Sequence, residues 1–161
     1  MASVHVTRRI DAPIDQVFRT WGDEFASVYK FHPGLRSSRL LPDSPASAGE
    51  GATRQCNLAD GKNWMRERIV GYRENEEIVV DIYESTMPLK SARGTFRFRA
   101  AGANATDVTF VMDFVPGMGP LGTLMLPMMK PQFRKQMASM LEGNAAYVES
   151  GRQANPTRAA A

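Results

Sequence analysis

From Leu35 to Val115 the sequence holds no helical period of useful length, and for a chain of 161 residues this limits the fold more than any other feature. Apolar and polar residues instead alternate over segments at about 36–41, 51–58, 63–72, 77–85, 92–100 and 105–115. The intervening stretches "PDSPASAGEG", "ADGK", "RENE", "TMPLK" and "AGANA" are turn-forming. The expectation is an antiparallel meander.

A further strand covers Val4 to Ile10, and "DAPIDQVFRTW" then predicts a short helix with Asp11 as N-cap, Pro13 in its first turn and Val17, Phe18 and Trp21 on one side. "EFASVYKF" predicts a second short helix, stopped by Pro33 and Gly34. After Pro116 the chain changes character. Pro127 and Pro131 are expected to break "GPLGTLMLPMMKP" into irregular or short helical pieces. Phe133, Met137, Met140, Leu141, Asn144 and Val148 then recur at helical spacing to about Glu149, which predicts one long amphipathic helix softened by Gly143. "GRQANPTRAAA" lacks any apolar period, so residues 151–161 are expected to fray, leaving one domain over 1–150.

This order predicts an α+β chain: one strand, two short helices, six strands and a long C-terminal helix. If the sheet curves around it, seven antiparallel strands are too many for one helix to cover, so a cavity can form between them. Composition narrows the function. With 43% hydrophobic and 23% charged residues the chain reads as soluble and globular, and no apolar run approaches the ~20 residues of a membrane span. The opening "MASVHVTRRI" enters strand pattern at once, and the expected location is cytoplasmic. Its 20 basic residues are scattered among 17 acidic ones, which argues against a nucleic-acid partner. Cys56 is the only cysteine and has just His5 and His32 for company, so no metal site and no cofactor is expected. Whether the chain is a monomer or a homodimer stays open.

"NWMRERIVGY", Asn63 to Tyr72, contradicts itself. Burying Met65, Glu67 and Ile69 puts a carboxylate inside, while burying Trp64, Arg66, Arg68 and Val70 puts in two guanidinium groups. A lone buried charge costs several kcal/mol or shifts its pKa until it is neutral.

The element order, with "IDAPIDQVFRTW", the spaced set Gly51, Arg54, Gly61 and Glu67, the turn "MPL", and "TDVTFVMDFVP" before the last helix, resembles the START-like, helix-grip superfamily. That group includes polyketide cyclase/dehydratase-like proteins, the birch pollen allergen family and the plant abscisic acid receptors. The resemblance implies a helix-grip fold: a seven-stranded curved sheet wrapped around the long helix, enclosing an apolar pocket for a small hydrophobic ligand. It also implies that Arg54, Cys56, Met65, Glu67 and Ile69 face inward, and it places Arg36 near a position where the hormone receptors pair a lysine with ligand. The loops "LADGKN" and "TMPLKS" lack the residues of those receptors' gate and latch, which argues against hormone sensing.

Alternation on the neighbouring strands agrees with that orientation, since Ile78, Val80 and Ile82, then Phe96 and Phe98, then Phe110, Met112 and Phe114 form apolar rows at period two. Arg66 and Arg68 then face solvent. Glu67 and Arg54 are the candidate chemical pair, with two readings: an acid/base beside an oxyanion stabiliser in aldol-type cyclisation or dehydration, or a structural ion pair in a non-catalytic carrier. A partner-binding module of the same fold is the third alternative. The expected pocket wall is Arg36, Cys56, Met65, Ile69, Val80, Ile82, Phe96, Phe110, Met112, Phe114, Phe133 and Met137. His32, Tyr29 and Tyr83 read as loop or surface residues more readily than as proton carriers. "GMGPLG" spells a dinucleotide fingerprint, but no second parallel strand follows it and Pro120 lies within it; its glycines read as a flexible connection over the cavity mouth.

Overall fold

The structure, a computed structural model, describes residues 1–154. β1 (Ala2–Ile10), β2 (Leu35–Leu40), β3 (Thr53–Leu58), β4 (Trp64–Arg73), β5 (Glu77–Ser85), β6 (Leu89–Ala100) and β7 (Thr106–Pro116) form one antiparallel sheet. Its order is β1-β7-β6-β5-β4-β3-β2, so the first two strands are the two edges. The chain crosses from one edge to the other through α1 (Ile14–Trp21) and a 3-10 segment (Phe25–Lys30), then winds back strand by strand until β7 pairs with β1. The register shifts at Leu35/Ser37, Arg66/Glu67, Ile69/Gly71 and Leu89/Ser91, and such bulges bend strands and increase their twist.

Several local expectations are corrected. The N-cap position of α1 is Pro13, without a side-chain cap, and the Asp11 amide instead donates to the Glu149 carboxylate at 2.9 Å. The second short helix is 3-10, and β6 begins at Leu89, inside the expected turn. Proline does not break the last helix where expected. After the short α2 (Gly119–Leu124), α3 runs unbroken from Leu126 to Ser150. Pro127 sits in its first turn, where an amide has no helical partner anyway; Pro131 lies inside the helix and removes one backbone bond. At the far end Gly151 closes α3 in a left-handed conformation, and the Ala154 amide donates to the Lys30 carbonyl at 2.7 Å. The rest of the expected frayed tail, residues 155–161, lies outside the described residues.

Aromatic packing ties α1 to the sheet. Phe18 meets Tyr72 and Phe98 edge-on, and Trp21 packs against Phe31 and Phe96. Buried Asn144 of α3 accepts from Trp21 Nε1 at 3.0 Å and donates to Thr20 Oγ1 at 2.9 Å, so the one polar residue in the helix's apolar series is the pin that joins the two helices. At Gly143, α3 passes tightly against Phe31 at the end of the 3-10 segment: a Cβ there would collide with the Phe31 carbonyl oxygen. The helix lacks a side chain at that position because a backbone occupies the space.

Candidate functional site

Between the sheet and α3 lies a cavity of about 140 Å³. Its space comes from β6, where the inward row begins with Ala92 and Gly94 before it turns to Phe96 and Phe98. Phe96 and Phe110 stack at 4.2 Å, the Phe110 ring lies over Gly94, and Phe114 meets Phe133 of α3 edge-on at 4.8 Å. Small residues in mid-strand thus let the aromatic rings pack close to the sheet, and those rings wall the cavity. A gap of similar size, roughly 150 Å³ with a Leu/Ile/Phe lining, can hold a benzene ring.

One end of the cavity is polar. Arg54 of β3 and Glu67 of β4 are direct cross-strand partners, and both are buried. Arg54 Nε donates to Glu67 Oε2 at 2.6 Å, its Nη1 donates to the Phe25 carbonyl at 2.6 Å, and its guanidinium lies 3.9 Å from the Phe25 ring centroid. Burial works against the arginine charge, but the adjoining carboxylate more than offsets it and holds its pKa above the ordinary value. The Cys56 thiol donates to the same Oε2 at 3.4 Å; burial pushes its pKa well up, so it is an inert thiol and not a nucleophile.

His32 also lines the cavity and is half-buried, not the exposed loop residue expected. Its Nδ1 accepts the Gly34 amide at 3.0 Å, which leaves the proton of the neutral ring on Nε2. Burial first, and then the Arg54 charge, lowers its pKa to about 4, so the imidazole is neutral at pH 7.

The structure brings Arg54, Met65, Glu67, Val80, Ile82, Phe96, Phe110, Met112, Phe114, Phe133 and Met137 together around the cavity. Three expected wall residues do not reach it. Arg36 is exposed, because the bulge between Leu35 and Ser37 turns it outward and gives the inward place to Leu35. Cys56 and Ile69 point inward but are sealed beneath their neighbours with no accessible surface. Spacing alone missed Leu35, Leu58, Met87, Leu89, Ala92, Gly94, Gln136 and Met140. The usable signal was the small pair Ala92 and Gly94 in a row that otherwise carries phenylalanine.

Other candidates separate cleanly from the cavity. Arg66 pairs with Glu84 at 2.8 Å, and Arg68 lies over the exposed Tyr83 ring, both away from the cavity. Tyr29 is half-buried against the core. "GMGPLG" forms the tight connection from β7 into α2, where a Cβ on Gly122 would collide with the Gly117 carbonyl oxygen; close backbone packing, not a flexible link, explains its glycines. Met118, Met125 and Met128 are exposed and stay out of the cavity, whereas Met137 and Met140 line it. Among the described residues no three His, Cys, Asp or Glu side chains stand together as a cation site, and no helix is long and apolar enough to cross a membrane.

Solved structures share this architecture at low sequence identity. An aromatase/cyclase from a Streptomyces species superposes with a TM-score of 0.77 at 16% identity, over 99% of this chain and 97% of that one. A START superfamily protein from Mycobacterium smegmatis gives 0.76 at 14% identity, over 91% and 97% of the two chains. The protein XoxI from Bacillus cereus gives 0.75 at 17% identity, over 93% and 97%. No curated protein sequence matches the chain. The family described as polyketide cyclase / dehydrase and lipid transport matches residues 1–149. With the helix-grip sheet, the gripped helix and the cavity between them, that match establishes that the chain belongs to the polyketide cyclase/dehydrase and lipid transport family.

Proposed function

We propose that the protein binds a small hydrophobic molecule, of polyketide, lipid or aromatic type, in the cavity between sheet and helix. The observation that carries this reading is an apolar cavity of about 140 Å³ whose polar end is one buried, paired set of charges, Arg54 and Glu67. Such a lining holds an apolar body by burial and orients it by a few polar contacts. Met65, Val80, Ile82, Phe96, Phe110, Met112, Phe114, Phe133 and Met137 would contact the body of the ligand.

Two finer versions share this site. In cyclisation or dehydration, Arg54 would stabilise an enolate while Glu67 moves a proton. In carriage the pair is structural. Carriage is favoured by the geometry, since Arg54 already donates to Glu67 Oε2 and to the Phe25 carbonyl, and protonating Glu67 would leave the buried guanidinium without its counter-charge. Hydrophobic probe binding with and without Ala92→Leu tests the site itself: filling the gap should lower affinity about tenfold or more and leave the melting temperature unchanged or higher. Unaltered affinity would place binding elsewhere.

A different reading rests on Met118, Leu121, Leu124 and Met128, exposed at 61%, 53%, 77% and 66% along α2 and the start of α3. An apolar strip of this kind suits a partner-binding module. Leu124→Glu would abolish association through the strip, read by sedimentation, without touching probe binding in the cavity.

A further inference from the structure

We infer that Glu67 is a specificity determinant that excludes anionic ligands, so that the cavity selects a small neutral ring compound carrying a hydroxyl or N–H donor. This rests on the cavity being the ligand site. A buried guanidinium facing an apolar pocket is normally a receptor for a carboxylate, because its fork of donors matches two oxygens. Here the charge is already matched by Glu67 and two of the guanidinium's donors are taken. Nε is held by Glu67 Oε2, Nη1 by the Phe25 carbonyl, and the Phe25 ring lies against the cation.

A ligand carboxylate brought to this end would meet the Glu67 carboxylate as well as the arginine. Both residues are at most 7% exposed, so repulsion between two carboxylates there is weakly screened by water. The other polar groups in the wall, His32 and Gln136, carry no charge at pH 7 to compensate. The polar end is therefore balanced as it stands, and a second anion would unbalance it.

A neutral donor meets the opposite situation. An ionised carboxylate only accepts hydrogen bonds and has about four lone-pair sites, of which the described residues use two, from Arg54 and from Cys56, both on Oε2. A hydroxyl or N–H on the ligand adds a donor where acceptor capacity remains. Cavity size limits the body of such a ligand to about one ring.

Calorimetric titration with toluene, p-cresol and 4-methylbenzoate at pH 7.5 tests this with three probes of one shape. The expected order is p-cresol first, toluene second and 4-methylbenzoate last, with at least tenfold between p-cresol and the anion. Glu67→Gln should reverse the discrimination, raising 4-methylbenzoate affinity at least tenfold by leaving Arg54 unmatched. Should that variant fail to fold, the wild-type ratio decides alone. Equal or tighter binding of 4-methylbenzoate by the wild type, or toluene binding better than p-cresol, overturns the inference while the cavity remains the binding site. Failure of all three probes to bind overturns the cavity reading itself.

Discussion

Arg54 and Glu67 stand directly opposite each other on β3 and β4, with Nε 2.6 Å from Oε2 and neither residue more than 7% exposed. This pairing is how a strand with a charge on either face can lie in the sheet. The inward carboxylate finds its cation on the next strand, while the outward arginines of β4 find Glu84 and the Tyr83 ring.

Removing one partner should hurt more than the interaction is worth. Arg54→Met strands a buried carboxylate and Glu67→Gln strands a buried guanidinium, each at roughly 3 kcal/mol in urea denaturation. The double variant should recover at least about 1 kcal/mol of the summed loss. Additive losses would mean that the two side chains do not act as a unit.

Acid should weaken the fold through His32. Its folded pKa of about 4 lies below the ordinary 6.5, so between those values the unfolded chain binds the extra proton and stability rises with pH. The contribution is fully present above pH 6.5 and is lost as pH falls towards 4, amounting to at most about 3 kcal/mol. His32→Asn keeps an acceptor for the Gly34 amide but cannot titrate. Stability curves of the two proteins should converge in shape above pH 6.5 and separate below it.

Gly143→Ala is expected to destabilise. Helix propensity alone would gain up to about 1 kcal/mol from the change. The new Cβ, however, would be driven into the Phe31 carbonyl, and overpacking against backbone costs about 1–3 kcal/mol. A thermal melt above that of the wild type would contradict the close approach of α3 to the 3-10 segment.

Asn144→Leu should cost about 1–3 kcal/mol despite making the helix face wholly apolar, because it leaves the buried Trp21 Nε1–H without its acceptor. Tryptophan fluorescence offers a second check, since Trp21 and Trp64 are the two tryptophans and Trp64 is less buried. A silent substitution would show that α1 and α3 are joined by packing alone.

Period-two alternation and turn chemistry determined that residues 35–115 form an antiparallel sheet, and helical spacing from Phe133 to Val148 determined that a helix covers it; both signals are local and survive without knowledge of the partner. Alternation within β4 left its inward face open; the family resemblance, with the apolar rows of the neighbouring strands in agreement, placed Glu67 inward and Arg66 and Arg68 outward. Only the tertiary structure decided which inward residues touch open space. Ile69 and Cys56 share the inward orientation of Met65, yet they are sealed while Met65 lines the cavity, because what covers an inward residue is set by neighbours from other parts of the chain and not by its own strand pattern. Bulges act the same way. One extra residue at Arg36 turns a side chain outward, and no pattern within "LRSS" announces it. Pro131 remains helical because packing along α3 outweighs one lost backbone bond, a balance set by contacts that lie far away in sequence. Asn144 reads as a lapse in an apolar face until Trp21 and Thr20, more than a hundred residues earlier, arrive to satisfy it.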